Sequence, residues 1–324
     1  MTQLEEGSEQ QGTAPPGREA RRPFLKALSA LNTKHQTLNT ALPILAGPTA
    51  VGKTDLSLEW AEANDAEIVS CDSRQVYREL TIGTAKPSPA EQARVPHHFI
   101  DERSVSEPLS AGRFEALALE RIRAIQARGR NVLVTGGSTL YVHALLEGLA
   151  DIPAVDPAIR PRLVRRLETE GADALYAELQ RADPAFAETL DPTKSQRLLR
   201  GLEVYEGTGR PLSSFFTPPD PGRPTFQLYV LDRPREVLYA RINERVDQML
   251  EAGLLDEVQG LLDAGIDFTL SPLQTIGYRE PLQFLRGAID RDEMVRLLKR
   301  NTRRYAKRQL TWWRRYPNAV WIEL

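Results

Sequence analysis

One cysteine, Cys71, stands in a chain of 324 residues, so neither an internal disulfide framework nor a Cys-rich zinc module is open to it. Long apolar runs are missing as well. Prolines and charges interrupt every stretch short of the roughly 18 residues that a membrane span needs, which predicts a protein without membrane segments. The first residues hold no apolar signal core, and Glu5, Glu6 and Glu9 argue against an organelle transit peptide, so the expected location is the cytoplasm. A strong net charge is lacking too, yet the formal −2 hides an asymmetry. Ten Lys/Arg between Arg291 and Tyr316 face only Asp292 and Glu293, a local excess of +8 that leaves about −10 for the rest of the chain. Tyr305, Trp312, Trp313 and Tyr316 interleave those charges. The mixture suits either a solvated helix face or a surface that holds phosphates and stacks on unpaired bases.

The 41% hydrophobic and 27% charged content is that of an ordinary folded chain. Residues 1–40 are polar and aperiodic, which predicts a disordered extension. After them, short apolar runs alternate with helical patterns. Strands are expected at 42–46, 67–72, 98–101 and 131–135, and helices at 55–63, 110–129 and 138–147. That alternation predicts an α/β fold with a doubly wound parallel sheet. From about residue 151 the strands stop. Residues 156–212 read as helical, a Pro-rich linker follows over 218–224, and a strand returns at 226–232. The chain is therefore expected to hold a discontinuous core, 41–150 and 225–324, interrupted by a helical insertion over 151–224. Helices at 234–252 and 255–264 end on Gly253 and Gly265. A basic helix begins at Asp290 with Glu293 in a capping-box position, and carries Met294, Leu298, Tyr305, Gln309 and Trp313 at a spacing of three or four. Residues 320–324 offer a last strand.

Gly47-Pro48-Thr49-Ala50-Val51-Gly52-Lys53-Thr54 fits G-x-x-x-x-G-K-[ST] and falls between an expected strand and helix, where a phosphate-binding P-loop belongs. Glycines at both ends let successive backbone N–H groups face inward, and the helix N-terminus aims its partial positive charge at the same point. Lys53 would neutralise the anion, and the Thr54 hydroxyl is the expected Mg²⁺ ligand. A P-loop binds phosphate without specifying ATP. An NTPase wants an acid at the end of an apolar strand to support its metal, whereas the strand at 131–135 runs into Gly136-Gly137. Asp72 is the available carboxylate, as metal support, helix cap or base. Arg241 and Arg245, one turn apart, fit either a diphosphate clamp or a plain surface pair. His97 and His98 lack a third ligand at metal spacing and read as structural. Cys71 reads as strand packing.

Several segments together resemble the bacterial tRNA dimethylallyltransferase (tRNA isopentenyltransferase, IPP transferase) family. They are the P-loop, Ser70-Cys-Asp72-Ser-Arg-Gln75-Val-Tyr77, Thr81-Ile-Gly-Thr-Ala-Lys-Pro87, Pro96-His-His, Gly136-Gly-Ser-Thr-Leu-Tyr141, Gln196-Arg-Leu-Leu-Arg200, Gln274-Thr-Ile-Gly-Tyr-Arg279 and Ala306-Lys-Arg-Gln309. The resemblance covers residues 42–321; Ser138 stands where a Thr is common. It implies a P-loop NTPase-like fold and transfer of a dimethylallyl group from its diphosphate to N6 of the adenosine 3′ of the anticodon, in tRNAs reading codons that begin with U. It also implies Mg²⁺ as cofactor, Asp72 as catalytic base and the anticodon stem-loop as partner. The implied tRNA contacts are Asp72, Ser73, Arg74, Gln75, Ser138, Arg160, Gln196, Arg197, Leu198, Leu199, Arg200, Gln274, Thr275, Ile276, Gly277, Tyr278 and Arg279, with Tyr278 or Arg279 reaching a base or phosphate. A monomer suffices for such a task. Three other readings stay open on the residues alone: a nucleotide kinase, a non-catalytic RNA-binding P-loop module, and a prenyltransferase acting on free adenine nucleotides.

Overall fold

The computed structural model describes residues 41–150, 152–153, 155–191, 194–216 and 222–324; the extension expected at 1–40 and residues 218–221 of the linker lie outside them. Two five-residue stretches that end in small residues, Leu42–Ala46 and Ala66–Ser70, become the fully buried strands β1 and β2. They join β3 (His97–His98), β4 (Asn131–Gly136), β5 (Phe226–Asp232) and β6 (Val320–Glu323) in one sheet of order β3-β2-β4-β1-β5-β6. Every pairing is parallel, with Ala46 opposite Gly136 on one side and Val230 on the other. A parallel sheet needs crossovers that cover its faces, which is why its strands read as unbroken apolar runs. Chain order reverses around β1, so the loops after β1 and β4 flank the switch point where ligands of such sheets bind.

The crossovers and flanks are α1 (Lys53–Ala63), α2 (Pro89–Arg94), α3 (Ala111–Ala127), α4 (Thr139–Glu147), α5 (Ile159–Glu170), α6 (Ala172–Ala182), α7 (Pro184–Glu188), α8 (Ser195–Thr208), α9 (Arg235–Glu251), α10 (Leu254–Asp263), α11 (Arg279–Leu285) and α12 (Arg291–Trp313). None of the described helices is long and apolar enough to cross a membrane. Two expectations need correction. The third strand stops at His98 instead of reaching residue 101, because Phe99 and Asp101 take φ of 65° and 55° and turn the chain. Helix α1 starts at Lys53, not residue 55, because Gly52 at φ 110° delivers the chain straight into it. Helix α2 was readable and missed: Ser88 and Glu91 form a reciprocal capping box with Pro89 at the first helical position. Only half of the expected box forms on α12. Asp290 accepts the Glu293 N–H at 2.8 Å, but the Glu293 carboxylate turns to Arg296 at 2.6 Å.

The described residues divide into two compact units, one made of those in 41–110, 116–142 and 224–324, the other of those in 111–115 and 143–223. The first has the sheet and a core in which Leu45, Val51, Leu58, Trp60, Ile68, Leu133, Leu231 and Ile242 pack together. The second is helical; Leu163, Leu175, Leu179, Phe186, Leu198, Leu199 and Leu202 form its own core. Glu115 ties that unit's segments: its carboxylate takes the Leu149 N–H at 3.0 Å and Arg223 at 2.6 Å, and Arg223 also donates to the Leu145 carbonyl at 2.7 Å.

Candidate active site

The cradle follows from three unusual backbone positions. Gly47, Ala50 and Gly52 have φ of 153°, 63° and 110°, a sequence that curls the loop after β1. A Cβ at Gly47 would lie 2.8 Å from the Leu231 carbonyl oxygen, so the loop starts where a side chain has no room. Arginines brace the loop from outside: Arg233 Nε donates to the Val51 carbonyl at 2.8 Å and Arg241 Nε to the Ala50 carbonyl at 2.9 Å. Lys53 Nζ donates to the carbonyls of Gly47 at 3.0 Å and Pro48 at 2.9 Å. Burial, with the nearby Arg245 guanidinium, lowers the Lys53 ammonium to a pKa of about 8, against a smaller opposing pull from Asp72. Burial and Arg241 likewise lower Arg245.

Thr49, Ala50, Gly52, Lys53 and Thr54 line a cavity of about 270 Å³, together with Asp72, Ser73, Arg74 and Gln75 from the loop after β2. Gly47, Pro48 and Val51 support it from behind; Val51 is fully buried. Asp72 Oδ1 accepts the N–H groups of Arg74 at 2.9 Å and Gln75 at 3.4 Å. Among the described residues nothing bonds its second oxygen. Ser138 fixes this loop, its Oγ accepting the Ser73 N–H at 2.8 Å. The acid missing after β4 also finds its reason here: a Cβ at Gly136 would sit 2.2 Å from the Cys71 carbonyl oxygen, so the end of β2 occupies that space. Cys71 is fully buried, and desolvation raises its thiol well above the usual range.

Two helices complete the wall. Ile242, Arg245, Val246 and Met249 come from α9, and Leu298, Thr302, Tyr305 and Gln309 from α12, with Leu254 and residues 275–277 beside them. Gln309 was legible only as a position on the apolar face. It is buried, its Oε1 accepts the Thr49 N–H at 2.9 Å, and its Nε2 donates to the Gly137 carbonyl at 2.7 Å, which ties the cradle to the turn after β4. Tyr305 has its phenol pushed up to about 12, by burial first and by Asp72 next. The lining thus combines the cationic Lys53 and Arg245 with the apolar Ile242, Val246, Met249, Leu254, Ile276 and Leu298.

The structure separates several residues that the sequence joined. Arg245 faces the cavity but Arg241 does not, since its guanidinium braces Ala50. Tyr278 is fully buried with its hydroxyl donating to Glu257 at 2.6 Å, so the exposed Arg279 and Gln274 are what that segment offers to a partner. Trp313 is fully buried and cannot stack on a base. In the second unit Leu198 and Leu199 are core, whereas Gln196 and Arg197 are exposed. There Arg160 and Arg200 share the Glu203 carboxylate at 3.0 and 3.1 Å, and Arg160 also donates to Gln196. His97 Nδ1 contacts the Val95 carbonyl at 2.7 Å, and His98 Nε2 meets Glu67 at 2.6 Å.

Known proteins resemble this chain in sequence and fold. A family profile described as IPP transferase matches residues 75–316. The tRNA dimethylallyltransferase of Salinibacter ruber is 62% identical over 283 residues, covering 86% of this chain and 87% of its own. The full-length tRNA isopentenylpyrophosphate transferase of Bacillus halodurans superposes with a TM-score of 0.64 at 40% identity, over 87% of this chain and 89% of that one. A eukaryotic dimethylallyltransferase acting on tRNA gives a TM-score of 0.70 at 30% identity, over 84% of this chain and 69% of its own. On fold, cradle and sequence together, the chain belongs to the IPP transferase family.

Proposed function

We infer that this chain is a tRNA dimethylallyltransferase, which moves a dimethylallyl group from its diphosphate to the exocyclic N6 of an adenosine 3′ of the anticodon. The observation that carries the reading is the shared cavity: a diphosphate cradle, a carboxylate with an open oxygen and an apolar wall of Ile242, Val246, Met249, Leu254, Ile276 and Leu298 all face one space. An isoprenoid diphosphate has the same division, an apolar tail joined to a polyanion. A nucleotide kinase would have no use for that apolar wall beside its phosphates.

In the reaction the allylic C–O bond breaks and the departing diphosphate takes the electron pair. Inward N–H groups of the cradle, Lys53 and Arg245 stabilise the charge it gains. The allylic carbon becomes electron-poor, N6 supplies the pair for the new C–N bond, and the N6 proton passes to the open oxygen of Asp72. Adenine must leave its stack to reach that oxygen. Mg²⁺ fits the donor set. The Thr54 hydroxyl on the cavity wall has no partner among the described residues, and no trio of acidic, His or Cys side chains surrounds it there, so water and diphosphate oxygens would complete the shell. Held there by Thr54, Mg²⁺ would supply positive charge beside the leaving group. We place the exposed Gln196, Arg197, Gln274 and Arg279 against the anticodon arm. We also take the enzyme to work as a monomer in the cytoplasm.

The test is incubation with labelled dimethylallyl diphosphate and either unmodified tRNA or AMP. Label is expected in tRNA alone, with the rate falling steeply as salt rises. Label in AMP, or phosphate transfer from ATP, would replace this reading with one of its rivals.

A further inference from the structure

Glu257 lies outside the cradle, one turn after Leu254 on α10, and no part of the chemistry above uses it. Its Oε2 accepts the N–H groups of Thr81 at 3.2 Å and Ile82 at 2.7 Å. Its Oε1 accepts the Gly83 N–H at 3.2 Å and the Tyr278 hydroxyl at 2.6 Å. Four donors on one carboxylate, two of them from the 3₁₀ turn Ile82–Thr84 and a third from Thr81 that caps it, suit an ionised acceptor-only group. The turn and the loop at 275–277 then meet at backbone level. A Cβ at Gly83 would fall 2.7 Å from the Tyr278 ring, and one at Gly277, where φ is +98°, would fall 2.8 Å from the Gly83 carbonyl oxygen. Both segments line the cavity, through Gly83–Ala85 and Thr275–Gly277. On the far side of the turn, Gln75 Nε2 donates to the carbonyls of Thr84 at 3.3 Å and Ala85 at 3.1 Å.

The cradle and Asp72 are held by other groups, namely Gln309, Arg233, Arg241 and Ser138. Changing Glu257 therefore moves the turn relative to the cradle, whose supports it does not touch; the turn meets the Asp72 loop through the Gln75 side chain, and Ser138 holds that loop separately at Ser73. We propose that Glu257 is a positioning residue that sets the width of the cavity beside Leu254 and Ile276, and with it the length of allylic chain admitted. The proposal rests on the prenyl-transfer reading above. A Gln at 257 keeps the length but presents an NH₂ group to donors that need an acceptor, so the turn must shift outward.

The experiment compares wild type, Glu257→Gln and Tyr278→Phe with dimethylallyl and geranyl diphosphate on unmodified tRNA. For Glu257→Gln the KM for dimethylallyl diphosphate is expected to rise about tenfold, the value of one charged hydrogen bond, with kcat within about threefold. The geranyl-to-dimethylallyl ratio of kcat/KM should rise about fivefold or more. Tyr278→Phe keeps the ring against Gly83 and removes one donor, so it should move the same two numbers in the same direction by less; it carries the test alone if Glu257→Gln does not fold. Wild-type transfer with an unmoved ratio in the variants, whether or not Tm falls, overturns the proposal, as does a KM change confined to tRNA. A wild-type protein that transfers no prenyl group overturns the transfer reading and the proposal together.

Discussion

Strand β2 has a carboxylate near each end. At its start, Glu67 is buried and accepts His98 Nε2 at 2.6 Å and Arg128 Nη2 at 2.9 Å, with Arg130 Nε at 3.7 Å. Arg121 donates to His98 Nδ1 at 2.8 Å and can only donate, so the His98 proton sits on Nε2 and points at Glu67. Past the other end, Asp72 lines the cavity, holds two backbone N–H groups with one oxygen and has no partner on the other among the described residues. Glu67 has no capacity left for a substrate, and Asp72 does. Glu67 is buried and Asp72 half-buried; what sets Asp72 apart as the candidate for chemistry is an acceptor oxygen without a partner among the described residues.

The contrast can be broken at either end. Asp72→Ala is expected to lower turnover by on the order of 10²–10⁴ with diphosphate binding intact and only the modest stability loss of an acceptor for two backbone N–H groups; wild-type turnover in that variant would remove the base. Next in size, Lys53→Met should weaken diphosphate binding by about 10–100-fold. Because the Lys53 pKa is about 8, binding in wild type should be level below pH 8, weaken above it and take up a proton near it. Calorimetry in buffers of different ionisation enthalpy reads that uptake, which Lys53→Met should abolish.

Glu67→Gln should reverse the pattern, costing about 1–3 kcal/mol of stability in a denaturant melt with kcat unchanged. Its partners hold the Glu67 carboxyl below the usual range despite burial, so its contribution is complete above the ordinary Glu value and lost as pH falls through the lowered one. The variant should lack that acid limb; a fall in kcat equal to that of Asp72→Ala would erase the distinction. Smallest, Gly277→Ala should cost about 1–2 kcal/mol, because a Cβ at φ +98° meets the Gly83 carbonyl oxygen at 2.8 Å. An unchanged melting curve would mean the turn yields freely.

How far the residues announced these roles depends on range. The P-loop was legible because its demands are local: glycines at 47 and 52, a lysine and a hydroxyl in the next two places. Strand β5 begins and ends where its apolar run does. On α12 the period correctly put Tyr305 and Trp313 on the inner face, and it is the interleaving with charges, suggesting stacking on bases, that misled: Trp313 is fully buried and Tyr305 faces the cavity. Arg241 and Arg245 look equivalent in sequence, yet only the second reaches the cavity.

By itself, then, the sequence determined the phosphate cradle, the parallel α/β order and the presence of a carboxylate after β2, because backbone conformation and strand period are set by neighbours. The tertiary structure alone decided that Gln309 holds Thr49 from 260 positions away and that Glu257 gathers the turn at 81–83. It also decided that Asp72 keeps an oxygen open. Those assignments depend on which groups from distant segments arrive at one point, and no local pattern carries that information.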